Sequence, residues 1–164
     1  MSSKKSAVAA RPLLPKPLSM PLKLLPNRLH CRALVSILNK VFANDLANGE
    51  LDFLLDRSVA IEVSDLSLCY RLTLKGSRFT ENSKQTDDDL MIRASLYDFM
   101  SLASRKVDPD TLVFQRRLVM EGDTELGLAL KNYLDALDIE SSRVLSMIES
   151  ASTKLMPVYK KLFG

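Results

Sequence analysis

The chain of 164 residues holds one histidine, two cysteines and few aromatic residues, 6% in all. A single histidine excludes a multi-histidine metal site and leaves only His30 for a catalytic triad. Cys31 and Cys69 fall in a predicted helix and a predicted strand without paired spacing. No disulfide framework is expected, which fits a reducing compartment. The scarce aromatics are not interleaved with a basic strand face, which argues against sequence-specific nucleic-acid binding. The phosphate loops GxGxxG and GxxxxGK(S/T) are missing, and so is GxSxG. No apolar run reaches the roughly 18 residues of a membrane span. Met1 to Ala10 lacks the continuous apolar segment of a secretory signal. The run Asp87-Asp88-Asp89 lacks the spaced ligands and glycine of a calcium loop, and reads as a solvated loop. No metal site and no catalytic constellation is therefore expected, and the chain reads as not an enzyme.

Acidic residues are absent before Asp45, where eight basic residues already stand. The remainder carries 15 basic against 20 acidic residues, so the net charge of +3 hides a basic arm on a mildly acidic body. Such an arm favours an anionic partner surface. Residues 1–26 form the arm, with prolines at 12, 15, 17, 21 and 26 that exclude one long helix. Two readings stand for its apolar part. It lies along the domain and covers core surface, or it docks on a membrane. In the second case Leu18, Met20, Leu22, Leu24 and Leu25 insert shallowly while Lys16 and Lys23 meet anionic headgroups, each worth about 1 kcal/mol.

What is abundant is apolar periodicity. The length suits one domain, taken as 27–140. Asn27 is expected to cap a helix running to about Asn48, stopped by Gly49. Val59, Ile61 and Val63 alternate as a first strand. Leu66, Leu68, Tyr70, Leu72 and Leu74 alternate as a second, and Gly76-Ser77 suits a two-residue hairpin turn into a strand from Arg78 to Glu81. Leu90, Ile92 and Ala94 mark a fourth strand, after which Ser95 starts a helix to about Lys106. Asp108 to Thr111 reads as a turn. Residues 112–121 alternate as a fifth strand, with Phe114, Leu118 and Met120 on its apolar face. Gly122 ends that strand, and Asp123 or Thr124 caps a helix striped by Leu126, Leu130, Tyr133, Leu134 and Leu137. Residues 141–164 form a C-terminal amphipathic helix that packs on the domain, lids it, or binds a partner. The fold class is α+β: a mostly antiparallel five-stranded sheet covered by helices, with an apolar pocket between the layers if the helices stand off the sheet.

The run from Phe114-Gln115 through Leu118-Val119-Met120, Gly122-Asp123 and the leucine-rich helix with Lys131 resembles the last strand and helix of the sterol carrier protein family. The longer string Asp108 to Leu128 is similar to that family's bacterial UbiT (YhbT-like) branch, lipid-binding accessory factors for oxygen-independent ubiquinone biosynthesis. The resemblance covers about Leu22 to Leu137. It implies an apolar lipid tunnel and a non-catalytic role with no cofactor. The lipid would be a polyprenylated quinone precursor or a phospholipid, presented to UbiU–UbiV-type hydroxylases at the inner membrane by a cytoplasmic, peripherally attached protein. The residues expected on the tunnel wall are Ile92, Phe114, Leu118 and Met120 from strands, and Phe99, Leu102, Leu126, Leu130 and Leu134 from helices. Arg116 falls on the apolar strand face by alternation; it snorkels to the sheet edge or meets a polar lipid oxygen at the mouth. A general lipid-transfer or lipid-sensing module, and a protein-binding scaffold without a cavity, are the alternatives.

Overall fold

The computed structural model describes residues 26–84, 87–137 and 146. The expected docking residues Lys16, Leu18, Met20, Leu22, Lys23, Leu24 and Leu25 lie outside them. So does the C-terminal helix apart from Ser146.

Helix α1 runs Asn27–Val41 and α2 Ala43–Ala47. The expected single helix is thus broken at Phe42, whose backbone leaves the helical region while its N–H still reaches the Leu38 carbonyl. Asn27 is not the cap. Pro26 holds that position, and the Asn27 amide instead donates to the Cys69 carbonyl at 3.2 Å. Gly49 sits at φ 76, the left-handed backbone that lets the chain leave α2. A single 3₁₀ turn, Asp52–Leu54, leads into the sheet.

The strands are β1 Ser58–Val63, β2 Leu68–Lys75, β3 Arg78–Glu81, β4 Leu90–Ala94 and β5 Val119–Gly122. Their spatial order is β3-β2-β1-β4-β5. Three neighbouring pairs are antiparallel and the central pair, β1 with β4, is parallel, so the sheet is mixed. The hairpin closes as its sequence dictates, with Lys75 paired to Arg78 and Gly76 at φ 59.

Helix α3 spans Leu96–Ala103, shorter than expected, and the Ser95 side chain accepts from the Asp98 N–H as an N-cap should. The stretch expected to be a turn and the start of the fifth strand is a helix, α4 Pro109–Phe114. Asp108 caps it by accepting from Thr111 N–H at 2.8 Å, and Pro109 follows at a position where a missing N–H costs nothing. Only Val119 onward is strand. Helix α5, Thr124–Ala136, is capped by Asp123.

The acidic run is not a freely solvated loop either. Asp87 is exposed, but Asp88 pairs with Arg71 at 3.1 Å and accepts from the Ser58 hydroxyl at 2.9 Å. Asp89 accepts from the Ser58 N–H at 2.8 Å. Both carboxylates tie the loop to the sheet.

Alternation sorts the strands into two faces. Val59, Ile61, Leu72, Leu74 and Ile92 look toward the helices and form the core with Leu112, Leu118, Leu126 and Leu130. Glu62, Arg71, Arg93 and Glu121 look the other way.

Candidate functional site

Between the helix-covered face of the sheet and the helices lies an apolar cavity of about 180 Å³. Its floor is Val59, Ile61, Leu72, Leu74 and Ile92, with Phe79 at the β3 side. Phe99 and Leu102 of α3, and Leu130, Tyr133 and Leu134 of α5, form the roof. Leu38, Phe42, Leu51 and Leu54 close the remaining side. They arrive there because α1 lies across β2 and β3, held by Asn39, whose side chain exchanges two hydrogen bonds with the Phe79 backbone at 2.8 and 3.0 Å.

Six of the expected wall residues line this cavity: Ile92, Phe99, Leu102, Leu118, Leu130 and Leu134. Four do not. Leu126 is buried in the core beside it, and Met120 packs half-buried on that core. Phe114 is 91% exposed, and Arg116 is exposed in the corner after α4. The physical reason is the helix: two residues along it rotate a side chain by about 200°, so Phe114 points away from the fully buried Leu112. In a strand the two would have shared a face.

The residues missed are Leu38, Phe42, Leu51, Leu54, Phe79 and Tyr133, together with the floor of β1 and β2. All are legible as apolar, but their convergence depends on how α1 docks. Tyr133 belongs by spacing to the α5 stripe. Its ring makes tilted contacts with Phe42 and Phe53, centroids 6.0 and 6.1 Å apart, and its hydroxyl donates to the Asp45 carboxylate. Burial, then the hydrogen bond to Asp45 and that residue's charge, pushes its pKa well above the ordinary phenol value, so the hydroxyl stays protonated and acts as a donor. It bolts α5 to α2 at the cavity's side.

Electrostatics near the cavity belong to structure. Asp98, 1% exposed, carries Arg117 on its carboxylate, with Nε at 2.9 Å, and so fixes α3 to the corner after α4. His30 is buried, and neither ring nitrogen has a partner among the described residues. Burial lowers its pKa, so the ring is neutral. Cys31 packs with Val63, Leu66, Tyr70 and Leu72, and burial followed by the Glu81 charge pushes its thiol up to about 11. A thiol so disfavoured as thiolate is a poor nucleophile. No group of three or more metal-ligating side chains occurs among the described residues.

The wall therefore offers hydrocarbon and almost nothing polar, Thr73 and the engaged Tyr133 being the exceptions. It suits an apolar chain, whose polar end must stay outside. Ligand pockets usually measure roughly 300–1,000 Å³, so this cavity takes only part of a long lipid.

Residues 36–135 match the SCP-2 sterol transfer family. The chain is 42% identical over 126 residues to the ubiquinone biosynthesis accessory factor UbiT of Escherichia coli (strain K12), covering 77% of this chain and 72% of that protein. The UbiT of Escherichia coli O157:H7 matches to the same degree. Among solved structures, a UbiJ-SCP2 ubiquinone synthesis protein superposes with a TM-score of 0.54 at 18% identity, over 66% of this chain and 95% of that one. That likeness speaks to the fold.

Proposed function

The chain belongs to the SCP-2 sterol transfer family, and from that membership we propose that it is a non-catalytic, lipid-binding accessory factor of ubiquinone biosynthesis. The observation that carries the reading is the apolar cavity between sheet and helices, whose described wall pairs no nucleophile with a base. The cargo is a polyprenylated quinone precursor or a phospholipid. Its tail enters the cavity and its polar end remains at the surface, where membrane-extrinsic hydroxylases of the UbiU–UbiV type reach it. The basic, proline-rich arm of residues 1–26 docks on the inner face of the membrane, and the C-terminal segment packs on or lids the domain. At about 0.8 kcal/mol per buried CH₂, ten carbons supply roughly 8 kcal/mol before ordering costs, so micromolar affinity needs no polar recognition.

Native mass spectrometry of detergent-free protein, followed by lipid extraction, tests this. A retained polyprenyl phenol or quinone is the expected result, with quinone lost on deletion of the gene in cells grown without oxygen. Retention of mixed phospholipids with unchanged quinone points to a general lipid carrier. A clean apo mass with unchanged quinone sinks the reading.

A further inference from the structure

The corner that ends α4 holds an apolar side chain out in water. Phe114 is 91% exposed and Val113 beside it 37%. A lone exposed phenylalanine means little, but this one stands on a braced support. Leu112, fully buried, anchors the inner side of the helix, and its carbonyl accepts from both Arg117 N–H at 2.8 Å and Leu118 N–H at 3.1 Å. The Arg117 guanidinium is clamped on Asp98. Between these fixed points Arg116 adopts φ 56, a left-handed backbone that a side-chain-bearing residue takes at a cost.

Charge at the corner is one-sided. Asp108 is engaged in the α4 cap, Asp110 pairs with Lys131, and Asp98 is taken by Arg117. Arg116 is exposed and has no ion-pair partner among the described residues. A braced corner therefore carries one exposed aromatic ring and, two residues on, one exposed guanidinium with no ion-pair partner among the described residues. That pairing fits the boundary of an anionic bilayer, where the ring enters the acyl region and the cation meets lipid phosphate. The corner also adjoins the cavity, since Leu118, whose N–H closes it, is a cavity wall residue.

We propose that the Val113–Arg116 corner is a docking wedge for anionic membranes. The proposal rests on the lipid-carrying reading for its purpose, and its test separates the two.

The chain has no tryptophan, so Phe114→Trp in the full-length protein installs a single fluorescent reporter. Its emission should shift to the blue on phosphatidylglycerol vesicles and not on phosphatidylcholine vesicles. In co-sedimentation with the anionic vesicles, Phe114→Glu should weaken binding by about tenfold or more. Arg116→Asn should weaken it about fivefold, asparagine being tolerant of left-handed backbone. Arg78→Asn removes an exposed charge at the β2–β3 hairpin, on the opposite edge of the sheet, and should change nothing. All three side chains are exposed, so thermal midpoints should stay put. Uptake of a fluorescent fatty acid from solution should survive Phe114→Glu. An unshifted emission from the Phe114→Trp variant on vesicles that sediment it overturns the proposal, as does undiminished vesicle binding by Phe114→Glu. If binding depends on Phe114 while no form takes up fatty acid, docking stands and the carrier reading fails. If wild type ignores anionic vesicles and Phe114→Glu loses a protein partner instead, the bilayer is the wrong occupant and the proposal falls.

Discussion

On one side of the sheet, Val59, Ile61 and Ile92 face the apolar cavity. On the other, Glu62 is ion-paired to Arg93 at 3.1 Å, and Arg93 reaches Glu121 at 3.8 Å, so that one arginine links β1, β4 and β5. Beside this ladder, Asp88 joins Arg71 of β2 to Ser58 of β1, and Asn82 donates to the same serine hydroxyl at 3.0 Å. The two sides are built from consecutive residues of the same strands. The difference shows how a sheet can bear a void. Ion pairs this exposed are individually weak, but they cross strand boundaries and add to the backbone ladder on the side away from the cavity. The helix layer is then free to be imperfectly packed.

The strongest way to break the contrast is to fill the void. Leu102→Trp should lower lipid retained per protein by about tenfold or more, while the thermal midpoint moves little, because the added volume enters space already present. Ala60→Leu, at a fully buried position on the outer face, should cost about 1–3 kcal/mol by overpacking. Denaturant midpoints on the two variants decide the matter: equal losses would mean that the cavity side is as tightly packed as the other.

A second test cuts the tied side. Asp88→Ala removes the Arg71 partner and the acceptor of the Ser58 hydroxyl. It should cost roughly 1–2 kcal/mol, since Arg71 remains partly hydrated, with lipid retention unchanged. Loss of lipid binding in this variant would show that the two sides are not independent.

The smallest effect is a pH dependence that compares the two cysteines, Cys31 on the helix side and Cys69 on the outer face. Burial raises the Cys31 pKa from 9.0 to about 11, so the unfolded thiol ionises before the folded one. The folded state then holds the extra proton. Stability from this source is complete below pH 9 and is lost as pH rises toward 11. Urea midpoints between those values should fall less steeply in Cys31→Ala than in wild type, and Cys69→Ala should flatten the slope less. An unchanged slope in Cys31→Ala would place the thiol in water.

What the sequence makes legible is local. The alternation in β2, the Gly76-Ser77 hairpin, the Ser95 and Asp123 caps and the α5 stripe all depend on neighbours within a few residues, and all appear in the structure. The strand pattern that misleads at residues 112–118 is local too. Alternating Leu112 and Phe114 satisfy it, while Asp108-Pro109, a helix cap followed by the residue best suited to the first turn, carries the correct signal. Other features are not locally written. Asp88 and Asp89 find partners 17 to 31 residues away. The cavity's third side depends on the angle at which α1 crosses the sheet. An apolar stripe announces that a face will be buried, without saying how completely.

The two hydrogen bonds from Asn39 to the Phe79 backbone have a consequence for solubility. β3 is an outer strand, and its free N–H and C=O groups would otherwise template pairing with another chain. Asn39 occupies that donor and acceptor with a side-chain amide, which copies a strand's bonding pattern and cannot propagate it. At the other rim, β5 is four residues long and ends at Gly122, where a β-carbon would lie 2.4 Å from the Asp89 carbonyl oxygen. One edge is plugged and the other is too short to recruit a partner, so the sheet resists growing into a fibril.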